Sequence, residues 1–215
     1  MRATSTPLPP VDPRALVLAE QLAEEAIAEP FRPLPRWVQN CGIAVSVVAT
    51  LLAVVFRGIG GDAASTFQLV CAGLFLVLLV AGGIVGLRRG WFRAWSSPVA
   101  KPLGRRTTRR VGWAAVGRAA VPDGLDLVVL GTARQTVRLA QWQTFALPAF
   151  VLLEAGNAVV SDGVFGPWTW GFVVLAALVT GLLVWTVQHE RAADAVFRAG
   201  RGDQRFQSVQ PAQPS

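Results

Sequence analysis

Glu154 is the residue whose type and position most directly suggest chemistry. It is the one charged side chain in an apolar run from Leu139 to Ser161. An ionisable group within a membrane span is costly and usually faces the interior of a helix bundle or a water path. Glu154 is therefore either a proton or cation site or a hydrogen-bonded packing residue that fixes helix register. The packing role is favoured, because no basic residue is expected at the depth of this carboxylate.

Other polar side chains are predicted at a similar depth. With a rise of 1.5 Å per helical residue, Glu154 lies about 9 Å from the outer edge of its span. Asn157 shares its helix face, three residues further on. Gln68 and Thr50 are expected at comparable depth on two other helices, with Arg57 above them. These five side chains form a predicted intramembrane polar cluster.

A second candidate site is a basic stretch that contains Arg105, Arg106, Arg109 and Arg110. It has three interpretations. The arginines can simply fix the orientation of the chain, or they can bind anionic lipid, where each contributes about 1 kcal/mol near the surface. Basic clusters also bind nucleic acid. Orientation and lipid are favoured, because aromatic residues are sparse in this stretch and no nucleic-acid-binding fold is recognisable.

Catalytic and cofactor-binding motifs are missing from the sequence. There is no Gly-Lys-Ser/Thr phosphate loop, no Cys-x-x-Cys pair and no Gly-x-Ser-x-Gly turn. The single histidine, His189, has no second histidine with which to bind a metal. We therefore expect a protein that is not an enzyme and that has no cofactor or metal.

Four apolar runs must position these residues. They extend over Trp37–Phe56, Ala63–Leu87, Leu139–Ser161 and Gly163–His189, in a chain that is 53% hydrophobic and 15% charged. A helix of roughly 20 residues crosses a hydrocarbon core of about 30 Å, and it satisfies its own backbone hydrogen bonds there. The predicted fold is an all-α integral membrane protein with four transmembrane helices, arranged as two antiparallel hairpins.

Charge placement predicts the orientation. The chain has a net charge of +7, and its positive charge is unevenly distributed. Eleven Lys or Arg residues lie between Arg88 and Gln141, whereas this segment has two acidic residues, Asp123 and Asp126. Cytoplasmic loops keep such an excess, so this loop and both termini are predicted inside. Lys101 stands alone among nineteen arginines, which indicates a GC-rich genome and a bacterial plasma membrane.

The chain is accordingly divided into five segments. These are a cytoplasmic N-terminal segment 1–36 with an acidic amphipathic helix 13–29, a first transmembrane hairpin 37–87, a basic cytoplasmic loop 88–138, a second transmembrane hairpin 139–189 and a cytoplasmic tail 190–215. Asp12 followed by Pro13 predicts the start of the acidic helix. We expect this helix to dock against the basic loop, because the two are opposite in charge.

Two local patterns predict packing. The turn 122–124 (Pro-Asp-Gly) lies between apolar-rich runs, which is typical of a short β-hairpin, although the alanines of residues 111–130 also suit a helix. Gly82, Gly86 and Gly90 follow one another at four-residue spacing. Small residues at this spacing let helix backbones approach closely, and packing within the chain is favoured over packing between copies.

Three functional hypotheses are consistent with these features. The first is a non-enzymatic scaffold or accessory subunit that contacts anionic membrane lipid or a protein partner through its cytoplasmic parts. The second is a small oligomeric transporter or channel component that uses Glu154. The third is a membrane anchor that presents the basic loop to DNA. Nucleic acid is the least favoured of the expected partners.

Overall fold

The computed structural model describes residues 11–29, 31, 33–59, 61–91, 98–160 and 168–202, and this part of the chain is helical with no strand. The helices are α1 (Pro13–Ala28), α2 (Arg36–Ile59), α3 (Gly61–Arg88), a 3-10 helix (Lys101–Leu103), α4 (Arg105–Ala115), α5 (Asp126–Val160) and α6 (Trp168–Gly202). They belong to two compact units. Unit 1 comprises Met1–Phe31, Arg93–Leu139 and His189–Ser215, and unit 2 comprises Arg32–Phe92 and Ala140–Gln188.

Three helices are long and apolar enough to cross a membrane. They are Arg36–Arg57 within α2, Gly61–Arg88, which is α3, and Trp170–Gly200 within α6. In the most apolar part of each, no more than 22% of the residues are buried inside the protein. Large apolar side chains such as Leu69 and Leu178 point outward instead. Soluble proteins rarely expose apolar surface on this scale, so the three helices are compatible with a membrane-embedded protein.

The predicted third span, Leu139–Ser161, is not among these three helices. Its residues as far as Val160 lie in α5, whereas the predicted outer turn, residues 161–167, lies outside the described residues. This stretch of α5 contains Gln141, Gln143, Glu154 and Asn157, whose amide and carboxyl groups lower its mean hydropathy. Four spans in two hairpins therefore stay a prediction.

Helix α5 is the central helix of unit 2. Gly42 of α2 faces it, and a Cβ atom at Gly42 would lie 3.3 Å from Cγ of Pro148. Gly82 of α3 comes closer still, because a Cβ atom there would lie 2.7 Å from Cβ of Phe145. Both neighbouring helices therefore use a glycine to bring their backbone against α5, which is the usual role of small residues between membrane helices.

The third neighbour of α5 is α6. Thr186 Oγ1 of α6 donates a hydrogen bond of 3.1 Å to Gln143 Oε1. Further along α5, Val151 and Ala155 are fully buried in an apolar cluster that also contains Ala176 of α6. Among residues 141–159 of α5, Phe150 alone is exposed, and a helix that its neighbours cover over most of its surface can be less apolar than they are.

The three glycines at four-residue spacing have different roles. Gly82 and Gly86 are buried on α3, and Gly82 contacts Phe145 of the same chain. Gly90 follows Arg88, the last residue of α3, and has a φ angle of +66°. Only glycine adopts this conformation readily, and it commonly follows the end of a helix. Gly90 is therefore not part of a helix face.

Of the two alternatives for residues 111–130, the β-hairpin is wrong and the helix is present in part. Residues 111–115 are the last part of α4, and residues 126–130 begin α5. Between them the predicted turn is present, with Gly124 at a φ angle of +72°, but it connects two helices. The physical reason is the burial pattern: Val111, Ala114 and Ala115 are buried at spacings of three and four residues, which is the period of a helix.

In unit 1, helix α1 packs directly on the first part of α5. Asp12 caps α1 by accepting a hydrogen bond of 3.0 Å from the Arg14 backbone N–H. Ala19 and Ala23 are fully buried on one face of α1. Gly131 of α5 lies against this face, since a Cβ atom there would be 2.6 Å from Cα of Ala23. The two backbones are therefore in contact, as a Gly–Ala pair allows.

Two adjacent glycines of α3 test the central position of α5. Alanine is favoured over glycine in a helix by about 1 kcal/mol. Gly83→Ala adds a methyl group in open space, so we expect an unchanged or higher melting temperature. Gly82→Ala places the methyl group against Phe145, and overpacking of this kind costs about 1–3 kcal/mol. We expect a lower melting temperature in detergent; equal values for the two variants would contradict this packing.

Candidate functional site

Helix α4 has one buried side. Gly104, with a φ angle of +78°, turns the chain from the 3-10 helix into α4. Thr107, Val111, Ala114 and Ala115 are then buried at helical spacing. Val111 and Ala115 are fully enclosed in the apolar core of unit 1. The opposite side of α4 is thereby held toward the surface.

The exposed side of α4 is basic. Arg105, Arg106 and Arg109 are exposed there, whereas Arg110 is half-buried and takes part in a contact. Of the four arginines predicted as a site, three thus project from one helix. None of the three forms an ion pair with a residue in the described part of the chain. Their positive charge is not neutralised there.

Lys101 and Trp113 extend this surface. Lys101 is exposed in the 3-10 helix, and it lines an open cleft together with Pro98, Arg105, Thr108 and Arg109. Trp113 is 39% exposed on α4, and the guanidinium group of Arg118 lies 5.4 Å from the centre of its ring. We call Lys101, Arg105, Arg106, Arg109 and Trp113 the basic face. Arginine and lysine side chains grouped in this way are suited to phosphate oxygens.

A second arginine arrangement, which the sequence did not predict, fixes the end of α1. Arg138 of α5 is buried and forms an ion pair with the Glu29 carboxylate. Its Nη2 also donates to the backbone oxygens of Ala26 (3.3 Å) and Glu29 (3.0 Å). These oxygens belong to the C-terminal turn of α1, where a cation also complements the helix dipole.

Arg134, one turn before Arg138, holds Phe31, which lies just beyond the end of α1. Arg134 Nη2 donates to the Phe31 backbone oxygen (3.3 Å), and its guanidinium group lies 4.6 Å from the Phe31 ring. The same group lies 4.8 Å from the ring of Phe197 in α6. The acidic helix therefore docks on the 88–138 segment, as its charge suggested, but through Arg134 and Arg138. The signal was the i, i+4 spacing of these arginines at the start of the third apolar run.

Two members of the predicted polar cluster, Thr50 and Arg57, interact with residues outside the cluster. Thr50 Oγ1 donates to the backbone oxygen of Ser46 in its own helix (2.9 Å). The Arg57 guanidinium group lies 5.0 Å from the centre of the Trp170 ring and makes a further contact. Neither observation brings Thr50 or Arg57 to Glu154, so a shared site of these residues stays a prediction.

The other three members lie on α3 and α5. Gln68 flanks Gly156, where an added Cβ atom would lie 3.7 Å from Cα of Gln68. Glu154 and Asn157 are half-buried on α5. Glu154 Oε2 is shielded from solvent and has no hydrogen-bond partner among the described residues. Glu154 is thus a carboxylate whose partner is not supplied by the described part of the chain.

Unit 2 also contains buried polar side chains that the sequence did not predict as site residues. Gln39 of α2, Gln141 of α5 and Thr186 of α6 are each at most 3% exposed. Gln141 takes part in a contact, whereas Gln39 Oε1 has no hydrogen-bond partner among the described residues. All three lie near the predicted inner ends of their spans. No signal in a single sequence distinguishes such amides from those that anchor a helix at the membrane surface.

Comparisons with protein-family models, with curated proteins and with solved structures found no match to this chain. Within the described residues, no group of three or more His, Cys, Asp or Glu side chains could hold a metal ion. The basic face and the polar residues of α5 are therefore the features of the described residues that bear on function.

Removing the acidic partner of Arg138 tests the docking of α1. In Glu29→Ala the buried guanidinium group loses its carboxylate, and a hydrogen-bonded charge of this kind contributes about 2 kcal/mol. We expect the hydrogen-bonded backbone amides of residues 17–28 to exchange roughly thirtyfold faster with deuterium. Glu25→Ala removes the same charge from an exposed position of α1 and is the control. Equal exchange in both variants would show that the ion pair does not hold α1.

Proposed function

We propose that this protein is a membrane-embedded, non-enzymatic scaffold or accessory subunit whose basic face binds anionic lipid headgroups. The observation that supports this most is the basic face itself. Three arginines and Lys101 project from one side of unit 1 without an ion-pair partner in the described part of the chain, and Trp113 lies among them. The fully buried Val111 and Ala115 fix the opposite side of α4.

The membrane placement rests on α2, α3 and α6, to which the proposal adds residues 139–160 of α5 as a fourth span. In this arrangement both helical hairpins cross a bacterial plasma membrane. The arginine-rich segment between them, and with it unit 1, faces the cytoplasm, because cytoplasmic loops retain Lys and Arg. Both chain termini are then cytoplasmic as well.

Lipid is favoured over DNA as the ligand of the basic face. An anionic headgroup needs only cations at the membrane surface, each of which contributes about 1 kcal/mol, and an indole ring is favoured at the same level. Sequence-specific reading of DNA also requires side chains that bond to base edges, commonly Asn or Gln beside Arg. The exposed side of α4 offers arginine and one tryptophan but no amide side chain.

Neutralising the basic face tests the lipid proposal. In the triple variant Arg105→Gln, Arg106→Gln, Arg109→Gln we expect at least tenfold weaker binding of phosphatidylglycerol by the purified protein in neutral detergent. About 1 kcal/mol per arginine sets an upper limit of about 3 kcal/mol. The readout is the lipid occupancy in native mass spectrometry at several lipid concentrations.

A control variant removes the same charge elsewhere in unit 1. Arg14, Arg191 and Arg198 are exposed on α1 and α6, Arg198 in an ion pair with Asp194 and Arg191 in a contact, and their change to Gln is expected to leave lipid binding within twofold of the wild type. An equal loss in both variants would mean that net charge alone acts. Salt-dependent binding of duplex DNA that only the α4 variant loses, with unchanged lipid binding, would favour the DNA anchor.

Single cysteines test the sidedness. In a background with Cys41→Ser and Cys71→Ala, Ala120→Cys places a thiol in unit 1 and Asp62→Cys places one at the start of α3; both positions are exposed. We expect a membrane-impermeant maleimide to label Asp62→Cys in intact cells, and Ala120→Cys only after permeabilisation. The reverse pattern would place unit 1 outside the cell.

A further inference from the structure

The open cleft at the start of α4 brings together three cations of the basic face. The described residues that line it are Pro98, Lys101, Arg105, Thr108 and Arg109. Lys101, Arg105 and Arg109 are exposed, and none of them forms an ion pair with a described residue. No Asp or Glu is among the lining residues that the structure describes. The cleft therefore offers three uncompensated positive charges to one ligand.

The backbone that carries these cations is held in place by buried contacts. The Val99 backbone N–H donates a hydrogen bond of 3.0 Å to Gln135 Oε1 of α5. Thr108 Oγ1 donates to the backbone oxygen of Ala100 (2.6 Å), which ties α4 to the start of the 3-10 helix. Val99, Ala100 and Leu103 are buried in the apolar core of unit 1. A cleft whose walls are fixed in this way loses little conformational freedom when a ligand binds.

The arginines of α4 repel one another when no anion is bound. Arg105 and Arg106 occupy the first turn, where the helix dipole is positive and favours anions. That turn contains no acidic residue. Arg109 follows Arg105 by four residues, and like charges at this spacing destabilise a helix. An anion in the cleft reduces the repulsion between Arg105 and Arg109 and also complements the dipole.

We propose that this cleft binds a phosphate monoester, which is a phosphate group with a single organic substituent. The inference rests on the proposed binding of anionic headgroups by the basic face, and it narrows that binding to one class of headgroup. A phosphate monoester has three unsubstituted oxygens and a charge of about −1.5 to −2 at pH 7. The phosphate diester of phosphatidylglycerol has fewer free oxygens and a single negative charge. The monoester therefore neutralises more of the positive charge in the cleft.

The donor groups of the cleft match the oxygens of a monoester. A guanidinium group donates two parallel N–H···O bonds to a phosphate, and Arg105 and Arg109 are neighbours on one side of α4. Lys101 adds an ammonium group with three donors. The Thr108 hydroxyl already donates its hydrogen to Ala100, so recognition of the phosphate depends on the cations.

Two lipids with identical acyl chains test the headgroup. Phosphatidic acid ends in a phosphate monoester, whereas phosphatidylglycerol contains a diester. The purified chain in neutral detergent receives both in equal amounts at about pH 8, above the second ionisation of a phosphate monoester at about pH 6. In native mass spectrometry we expect phosphatidic acid to bind roughly fivefold more tightly, which is the effect of one further charge contact near a membrane surface. Equal occupancy by the two lipids would overturn the monoester proposal and leave the proposed lipid binding in place.

Two exposed arginines of α4 provide a matched pair of variants. Arg109 lines the cleft, whereas Arg106 is not among its lining residues. In Arg109→Gln we expect the preference for phosphatidic acid to fall below about twofold, and Lys101→Gln should have the same effect. Arg106→Gln is expected to weaken the binding of both lipids alike and to keep the preference. An equal loss of preference in Arg106→Gln and Arg109→Gln would contradict recognition by the cleft.

A soluble monoester distinguishes a lipid ligand from a free one. Glycerol 3-phosphate carries the same group without acyl chains, and glycerol is its uncharged control. Displacement of phosphatidic acid by glycerol 3-phosphate but not by glycerol would support the proposal with the monoester alone as the ligand. A preference for phosphatidic acid that persists in an excess of glycerol 3-phosphate would support it with the lipid as the ligand.

The same titrations separate this inference from the proposed function. Binding of glycerol 3-phosphate by a chain that binds neither lipid would refute the proposed lipid binding alone. A chain that binds none of the three phosphate compounds would refute both proposals.

Discussion

The structure of unit 2 depends on one constraint, which is that polar side chains buried among apolar helices need partners within the protein. Helix α5 has the amides of Gln141 and Gln143 and the carboxylate of Glu154 within a stretch long enough to cross a membrane. Its three neighbours approach closely at Gly42 and Gly82 and donate a hydrogen bond to Gln143 from α6, whereas Glu154 Oε2 has no partner among the described residues. The neighbours are more apolar because their outer sides have no such cover.

The same helix organises unit 1 by different interactions. Residues 126–139 of α5 hold α1 through the Gly131–Ala23 backbone contact and through two buried or half-buried arginines. Replacing both members of a buried ion pair by apolar side chains often changes stability little, but removing one member is costly because the other charge is left buried without compensation. The arginines of α4 differ from those of α5 in their exposure. Arg105, Arg106 and Arg109 stay exposed and without ion-pair partners among the described residues, whereas Arg110 is half-buried and takes part in a contact.

Much of the fold followed from the sequence because helices are specified locally. Three apolar runs correspond to helices that could cross a membrane, and Asp12 with Pro13 begins α1. The β-hairpin suggested for residues 111–130 is absent, and the helical alternative is present in part. The Pro-Asp-Gly turn is compatible with strands or helices on either side. Whether strands or helices form beside this turn depends on the burial of Val111 and Ala115 in an apolar core. That core is built from residues of α1, α5 and α6, which are distant from the turn in the sequence.

The sequence by itself determined where apolar and basic residues are concentrated, and therefore which segments form helices and which helix presents arginine. The tertiary structure alone decided which face of each helix is used. It made Gly82 a contact within the chain, separated Gly90 from the helix, and left Phe150 exposed on α5 between buried residues. The physical reason is that composition and period fix an amphipathic face only when one side is polar. Along an apolar helix, only the shape of its neighbours distinguishes the sides.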